Sequence, residues 1–527
     1  MMKLTPAKSI FMLIAFGLLG STCQSLSTKT LDTIVRGELS IVKNDNARVP
    51  QSGKLTFKTK KPCKLSYTVE GLQPLTKHSS RLTTTHNIPI VGLYPDTVNS
   101  ITITLEDKSG QLYEGTTQIT TSPLPSFFPE IEIVKLDRSR METGLHLLEL
   151  LVPNGDKFDS YSIYFDDNGE VRWYIDLSEM RRIAFSIPRL KNGNSLYVSW
   201  IDVLELNELG ETINQWQLGG YAGDHDIKEL PNGNLLMGAS KRGSTIYQHG
   251  TLRKTRYDFA VELDRQSMNA IKEWDMRSVL DVDRGLLNQE LGRDNYYDWF
   301  HINSVNYDDR DNSILVSGRN QGVVKLDQAN RPKWILAPHK GWGKSGIKGD
   351  GAETTPYLLT AIDKKGDVLS EEVQQGTMRT SDFEWPTGQH NIQILNNGNL
   401  LLFDNGFSRN FQQIPTYSRA VEYKIDDKNK TIQQIWEYGK ERGLDMFSGI
   451  TSSVQVLPET QNRLITSGYI RASTDEPHAK MIEITYPNNE VVFEARAYFK
   501  NTAPPEVVQW AKFDVVYKGQ RIDLLQE

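Results

Sequence analysis

Apolar and polar residues alternate along much of this chain. Lys54 to Lys58 (Lys-Leu-Thr-Phe-Lys) and Ile101 to Leu105 (Ile-Thr-Ile-Thr-Leu) carry the period of two that turns one face of a strand to a core and the other to water. Tyr94-Pro95-Asp96 and Ser109-Gly110 mark turns between such segments. The pattern predicts a small β-sandwich over residues 35–122. Thr121 to Pro129 carries Pro123, Pro125 and Pro129 and two adjacent aromatics, so residues 123–139 read as a short, stiff linker.

From residue 140 to the C-terminus the alternation becomes a repeat. Its first half is an alternating strand, an Asn-Gly-Asn turn and an apolar strand: Ser186 to Asn194, Asp226 to Asn234 and Asn391 to Asn399, with weaker copies at Val305 to Leu315 and Val454 to Ile465. The Asn-Gly pair supplies the positive φ angles of a tight hairpin. Its second half is a strand, a polar turn and a strand closing on an aromatic residue. That half occurs six times, at Tyr161–Trp173, Leu204–Trp216, Val261–Trp274, Val323–Trp334, Ala420–Trp436 and Met481–Phe493. Four short strands per unit, six units and a 40-residue step from Asn192 to Asn232 predict an all-β chain whose residues 140–527 form a six-bladed β-propeller. The period argues against two stacked sandwiches. Residues 276–300 and 338–388 are insertions, of the kind that build a functional rim.

The N-terminus breaks the pattern. Lys3 and Lys8 precede the apolar run Ile10 to Gly20, with Ser21 and Thr22 after it, so residues 1–23 read as a secretory signal too short to span a bilayer. Cys23 stands where the lipidated cysteine of a bacterial lipoprotein would stand, although Thr22 fits that signal poorly. Export to the periplasm is expected, with anchoring through Cys23 as a variant of it. With Cys63 as the one other cysteine, no internal disulfide, Cys-rich metal site or redox motif is expected. A net charge of −6 argues against a protein built to bind nucleic acid. Gly341-Trp342-Gly343-Lys344-Ser345 imitates the end of a P-loop, but Pro338 stands where that motif needs glycine and no βαβ context follows, so no nucleotide is expected.

Candidate chemistry sits in the repeat. His225, His301 and His390 each open the first strand of a unit, the strand that lines a propeller's channel, so equivalent positions on different blades aim at one axis. Phe185 and Ser452 hold that place in other units, so the repeat itself does not demand histidine. Three converging imidazoles suit zinc. Arg319, at the end of the strand paired with the His301 strand, would repel a metal and attract an anion. Imidazoles with a guanidinium describe a cage for sulfate or phosphate.

Four segments together resemble the bacterial arylsulfate sulfotransferases, which use no nucleotide sulfate donor: Gly223-Asp224-His225-Asp226, Asp298-Trp299-Phe300-His301-Ile302-Asn303-Ser304, Gly318-Arg319-Asn320-Gln321 and Gly388-Gln389-His390-Asn391. The likeness covers nearly the whole chain after the leader. It implies that His390 is a nucleophile that becomes transiently sulfated, and that His225, His301, Asn303 and Arg319 hold the sulfuryl group and assist the leaving phenol. It implies ping-pong transfer from an aryl sulfate donor to a phenolic acceptor, no cofactor, a periplasmic home and a homodimer. Some members carry a disulfide near the rim of the site, and this chain lacks those cysteines. The alternatives are a ligand-binding propeller of the cell envelope without activity and a quinone-dependent propeller, whose Ca²⁺ site and tryptophan docking motifs are not seen.

Overall fold

The computed structural model describes residues 27–285, 296–407, 409, 417–471, 476–502 and 511–524. The leader expected at 1–23, with Cys23, lies outside the described residues, as do residues 286–295 of the first insertion. After the N-terminal sheet, six sheets of four or five strands follow one another along the chain, antiparallel except for the edge strand Thr360–Ile362, which runs parallel to Thr431–Tyr438. Their innermost strands, blades one to six, are Val515–Ile522, Phe185–Ile187, Tyr221–Glu229, Ile302–Asp308, His390–Ile394 and Ser453–Val456. Neighbouring innermost strands pack against each other, and Phe185 against Tyr517 (5.1 Å between ring centroids) closes the circle. This is the six-bladed propeller that the repeat predicts.

Two features lay beyond the repeat pattern. The innermost strand of blade one comes from the C-terminal end, where Val515–Ile522 pairs antiparallel with Leu145–Asn154. Glu130–Leu136, inside the stretch read as a linker, is instead a fifth, outer strand of blade six, paired with Val491–Tyr498. Its alternation, Glu-Ile-Glu-Ile, begins directly after Pro129, the last of the prolines that suggested a linker. The chain therefore re-enters the propeller before residue 140, and the ring is clasped by strands from both of its ends.

The structure also explains what the repeat encodes. In the turns only the glycines take positive φ (Gly193 +86°, Gly233 +85°, Gly398 +88°). The first asparagine instead accepts a hydrogen bond from the amide two residues on, as Asn192 does from Asn194. The last asparagine ties the hairpin to a glutamate on the third strand of its blade: Asn194 to Glu205, Asn234 to Glu262 and Asn399 to Glu422. The closing tryptophans staple blade to blade. Trp216, Trp274, Trp334 and Trp436 donate their indole N–H to Gln266, Asp327, Asp427 and Asn489, each in the last turn of the following blade. A buried indole needs one polar partner, and the next turn supplies it.

The N-terminal strands form one continuous six-stranded sheet rather than two separate ones. The long strand Gly53–Val69 pairs with Val35–Lys43 along its first half and with Val98–Asp107 along its second, and Leu75–Ile90 follows it on the other side. The sheet folds over on itself, so that Leu55 and Phe57 meet Leu65, Tyr67, Ile101 and Ile103 in a single core. It docks on the propeller face that carries the Asn-Gly turns. Gln51 bridges Leu93 O (2.6 Å) and Val171 O (2.8 Å). Arg172, fully buried, donates to Gly92 O, to Gln73 O and to Asp166 (2.8 Å), with Tyr94 lying against its guanidinium. The opposite face, where the innermost strands begin, is left to segments such as the helix Met276–Val279.

Candidate active site

A cavity of about 510 Å³ opens on the insertion face at the head of the channel, and His225, His301, Arg319 and His390 all line it. A larger cleft of about 680 Å³ lies on the docking face, between Ser66, Thr76, Leu145 and Asp523, and gathers none of the candidate residues. Asn303 also reaches the axis, but beneath the cavity floor. It is buried, its Nδ2 donates to Gln389 O at 2.6 Å, and its Oδ1 is covered and unpartnered. It borders a small void below His225 and His390.

The histidines do not occupy three equivalent positions, as the sequence suggested. The same hydrogen bond recurs between neighbouring innermost strands, from Val305 N to Asp226, from Ile392 N to Ser304 and from Val454 N to Asn391; His225 and His390 lie one residue before this matched position, but His301 lies three before it. Asn303 holds the equivalent place on blade four. Bulges in each of these strands hide the offset from the sequence. His301 reaches the site from the loop above its strand, turned inward by a left-handed backbone (φ +59°), as His225 is (φ +62°). Such a conformation is costly for a residue with a Cβ and collects at functional sites.

The quoted motifs are the framework of that loop. A Cβ on Gly318 would lie 2.3 Å from the Phe300 ring, so glycine is required there. Asn320 donates to Asp298 O (2.7 Å), and Gln321 donates to Trp299 O (3.0 Å). His301 Nδ1 then donates to Asp298 Oδ2 at 2.5 Å, which leaves Nε2 as the atom free for the cavity. Burial holds the His301 imidazole below its usual pKa, with the charges of His225 and Arg319 adding to this and Asp298 opposing it. Burial pushes Asp298 up, but His301, Arg256 and His225 outweigh it and leave the carboxyl below its usual value.

His390 is almost fully buried. Its Nδ1 faces two acceptors, Asn405 Oδ1 at 2.6 Å and Gly388 O at 3.0 Å, so Nδ1 carries the hydrogen and Nε2 the lone pair. Burial, then the Arg319 charge, hold its pKa well below that of free imidazole. It is a neutral base at pH 7. His225 stacks on Phe185 (5.5 Å) and meets the His301 ring edge-on at 4.8 Å. Its Nδ1 lies 2.7 Å from Asp224 Oδ1, outside hydrogen-bond geometry. Tyr517 donates to its backbone oxygen (3.0 Å).

Arg319 has no carboxylate within ion-pair distance among the described residues. Its side chain rests on the Phe407 face at 5.0 Å and donates once, to Gly449 O at 3.3 Å, and its Nε is covered and unpartnered. Burial lowers its pKa, with the Asp298 charge opposing. A guanidinium held this way has its donors in reserve for an anion. Among the described residues no group of three or more His, Cys, Asp or Glu is placed to hold a metal ion. Zinc suits this site poorly, with a cation already in it and two imidazoles turned to aspartates. Sequence reasoning missed Asp298 as a partner, although it lies three residues before His301 in a quoted motif, and Asn405, Tyr257 and Tyr517, which carry no local signal.

A propeller whose channel head presents one neutral imidazole lone pair beside an unneutralised guanidinium defines the class: a protein that handles a small oxyanion group. The comparisons with known proteins name the family. The family model described as Arylsulfotransferase (ASST) matches residues 130–504, and that of the Arylsulfotransferase Ig-like domain matches residues 42–122. The chain belongs to the arylsulfotransferase family. An arylsulfate sulfotransferase AssT of Escherichia coli O6:H1 (strain CFT073) is 31% identical over 384 residues, 63% of this chain and 62% of that protein, so the match spans less than two thirds of this relative. An arylsulfate sulfotransferase AssT of Lelliottia amnigena is 27% identical over 496 residues, 78% of this chain and 81% of that protein. Among solved structures, the Dos1 propeller aligns with 89% of this chain and 85% of its own at 9% identity and a TM-score of 0.27, a likeness too loose to bear on the site.

Proposed function

We propose that this protein transfers a sulfuryl group from an aryl sulfate ester to a phenolic acceptor, in two steps, through a transient sulfohistidine at His390. The observation that carries the reading is the pairing of the His390 Nε2 lone pair with the uncommitted Arg319 guanidinium in one cavity. His390 Nε2 attacks sulfur and the S–O bond to the aryl group breaks. Charge spreads over the sulfuryl oxygens as in phosphoryl transfer, and Arg319 stabilises it by fixed hydrogen bonds. The second half-reaction returns the group to a phenol.

Of the two remaining histidines, His301 suits the proton work. Asp298 fixes its tautomer and steadies an imidazolium, the arrangement of an oriented general acid–base. The anionic ester entering the cavity raises the pKa of His301 against its burial. Protonated, it delivers its proton to the leaving phenolate; neutral, it takes one from the incoming phenol. His225 lines the site beside it, and Asn303 supports the floor by fixing the backbone next to His390. Phe185, Tyr257 and Tyr517 give aryl groups an apolar wall.

The reading includes export to the periplasm through the leader at 1–23, and a homodimer. Cell fractionation and sedimentation of the purified protein check these two points. The activity is tested by turnover with an aryl sulfate and a phenol. Parallel double-reciprocal lines at varied acceptor concentration agree with a two-step transfer. Binding of both compounds without any transfer would instead favour the binding module.

A further inference from the structure

The nucleophile and the acid–base histidine are held by different chemistry, and the difference has a consequence for the intermediate. His301 leans on a carboxylate, which can share or accept a proton. His390 leans on Asn405, a neutral amide that cannot. The orientation of this amide is fixed from the other side. Its Nδ2 donates to Ser448 O at 2.8 Å and to Thr451 O at 3.0 Å, so Oδ1 must face the ring. The remaining acceptor at Nδ1 is a backbone carbonyl, Gly388 O, equally unable to take a proton.

Resting on the reading of His390 as the sulfated nucleophile, we propose that Asn405 is a positioning residue that keeps the Nδ1 proton in place throughout the cycle, so that the intermediate is the reactive, protonated sulfo-imidazolium rather than the stable neutral sulfo-imidazole. The balance is as follows. The Nε2 lone pair forms the N–S bond, the S–O(aryl) bond breaks, and the phenolate leaves with the proton from His301. Nδ1 keeps its hydrogen, so the ring carries a positive charge and the sulfonate a negative one. Phenol attack on sulfur then expels a neutral imidazole, a far better leaving group than the imidazolate that a deprotonated ring would become. A carboxylate at position 405 would accept the Nδ1 proton as soon as the ring became cationic in this buried setting, and the adduct would settle as the neutral form.

The test is Asn405→Asp, with Asn405→Ser as a small neutral acceptor beside it. The phenol burst and the acceptor-dependent decay of the adduct are measured separately from pH 6 to 9. In Asn405→Asp the burst should persist at alkaline pH, with a new acid limb because the carboxylate draws a proton onto the resting ring. The decay of the adduct should slow by at least about tenfold while the alkaline burst does not, because the ring would have to leave without its Nδ1 proton. Asn405→Ser should retain the wild-type ratio of burst to decay even if both rates fall. A folded Asn405→Asp enzyme with wild-type decay overturns the proposal, and so does equal slowing of both half-reactions in the two variants. An independent readout is the ¹⁵N spectrum of histidine-labelled resting enzyme, with His390→Asn for assignment. It should report hydrogen on Nδ1 of His390; hydrogen on Nε2 overturns the proposal. An adduct on a residue other than His390 would overturn the nucleophile assignment instead, which keeps the two failures distinct.

Discussion

Replacing Arg319 by methionine should damage the reaction far more than the fold. The structural ties of the side chain are few: one hydrogen bond at 3.3 Å to Gly449 O and one contact with the Phe407 face. A hydrogen bond of this kind contributes about 0.5–1.5 kcal/mol and a cation–π contact about 0.5–1 kcal/mol. Against these stands the cost of holding a guanidinium with a covered, unpartnered Nε and no carboxylate within ion-pair reach. Methionine keeps the length of the stem and removes both sides of that ledger, so the stability of the resting protein should change by no more than about 1 kcal/mol. In the transition state the same guanidinium faces developing charge in a site with little water, where loss of one fixed donor costs about 2.7–4 kcal/mol, or 10²–10³ in rate. Urea unfolding of the wild type and Arg319→Met, alongside kcat/KM for an aryl sulfate, measures both quantities. A second signature is the stabilisation conferred by a non-reactive sulfonate analogue, which should be lost in the variant. The reasoning is refuted if Arg319→Met loses more than about 3 kcal/mol of stability, which would make Arg319 a structural residue, or if it keeps more than about one tenth of wild-type kcat/KM.

Three further outcomes follow from the same structure. His301→Asn should slow both half-reactions, and Asp298→Asn should slow them in the same way by loosening the ring; stopped-flow measurement of phenol release and uptake separates these from a defect in one step alone. His146, fully buried between Phe165 (4.7 Å) and Phe493 (4.1 Å), is pushed by burial down to about 3. Its folded pKa lies below its unfolded value of about 6.5, so the unfolded state binds the extra proton; stability is full above pH 6.5 and falls with pH through that window, by about 2 kcal/mol at pH 5 from this residue. Urea titrations at pH 7 and pH 5 should show the loss, and His146→Phe should shrink it. Arg172→Ala leaves Asp166 buried and unpaired and frees Gly92 O at the docking face, so calorimetry should show a loss of about 3–5 kcal/mol and a separate transition for the N-terminal sheet.

The blades were legible because each signal in the repeat has a local cause. The glycine of each Asn-Gly-Asn turn needs positive φ, and four of the closing tryptophans bond to the last turn of the next blade. The strand Val515–Ile522 was not legible as the innermost strand of blade one, because nothing in its pattern says that it pairs some 370 residues upstream. Glu130–Leu136 was masked by the prolines just before it. At the site, the histidines and Arg319 stood out because their residue types are not required by the repeat. The offset of His301 by two positions did not, since a bulge leaves no mark in residue types. Asn405 was out of reach for a different reason. It follows the second strand of blade five, and only the fold brings it beside His390, fifteen residues earlier in the chain.

The central claim is the covalent step at His390. The protein is mixed with an aryl sulfate in the absence of acceptor, quenched at neutral or alkaline pH because the N–S bond is labile to acid, digested, and analysed by mass spectrometry while the released phenol is counted. The account predicts about one phenol per chain. It also predicts a sulfuryl group on the peptide that carries His390, and loss of both in folded His390→Asn. Full transfer by His390→Asn, or transfer that requires donor and acceptor to be bound together with no adduct at any time, would contradict it.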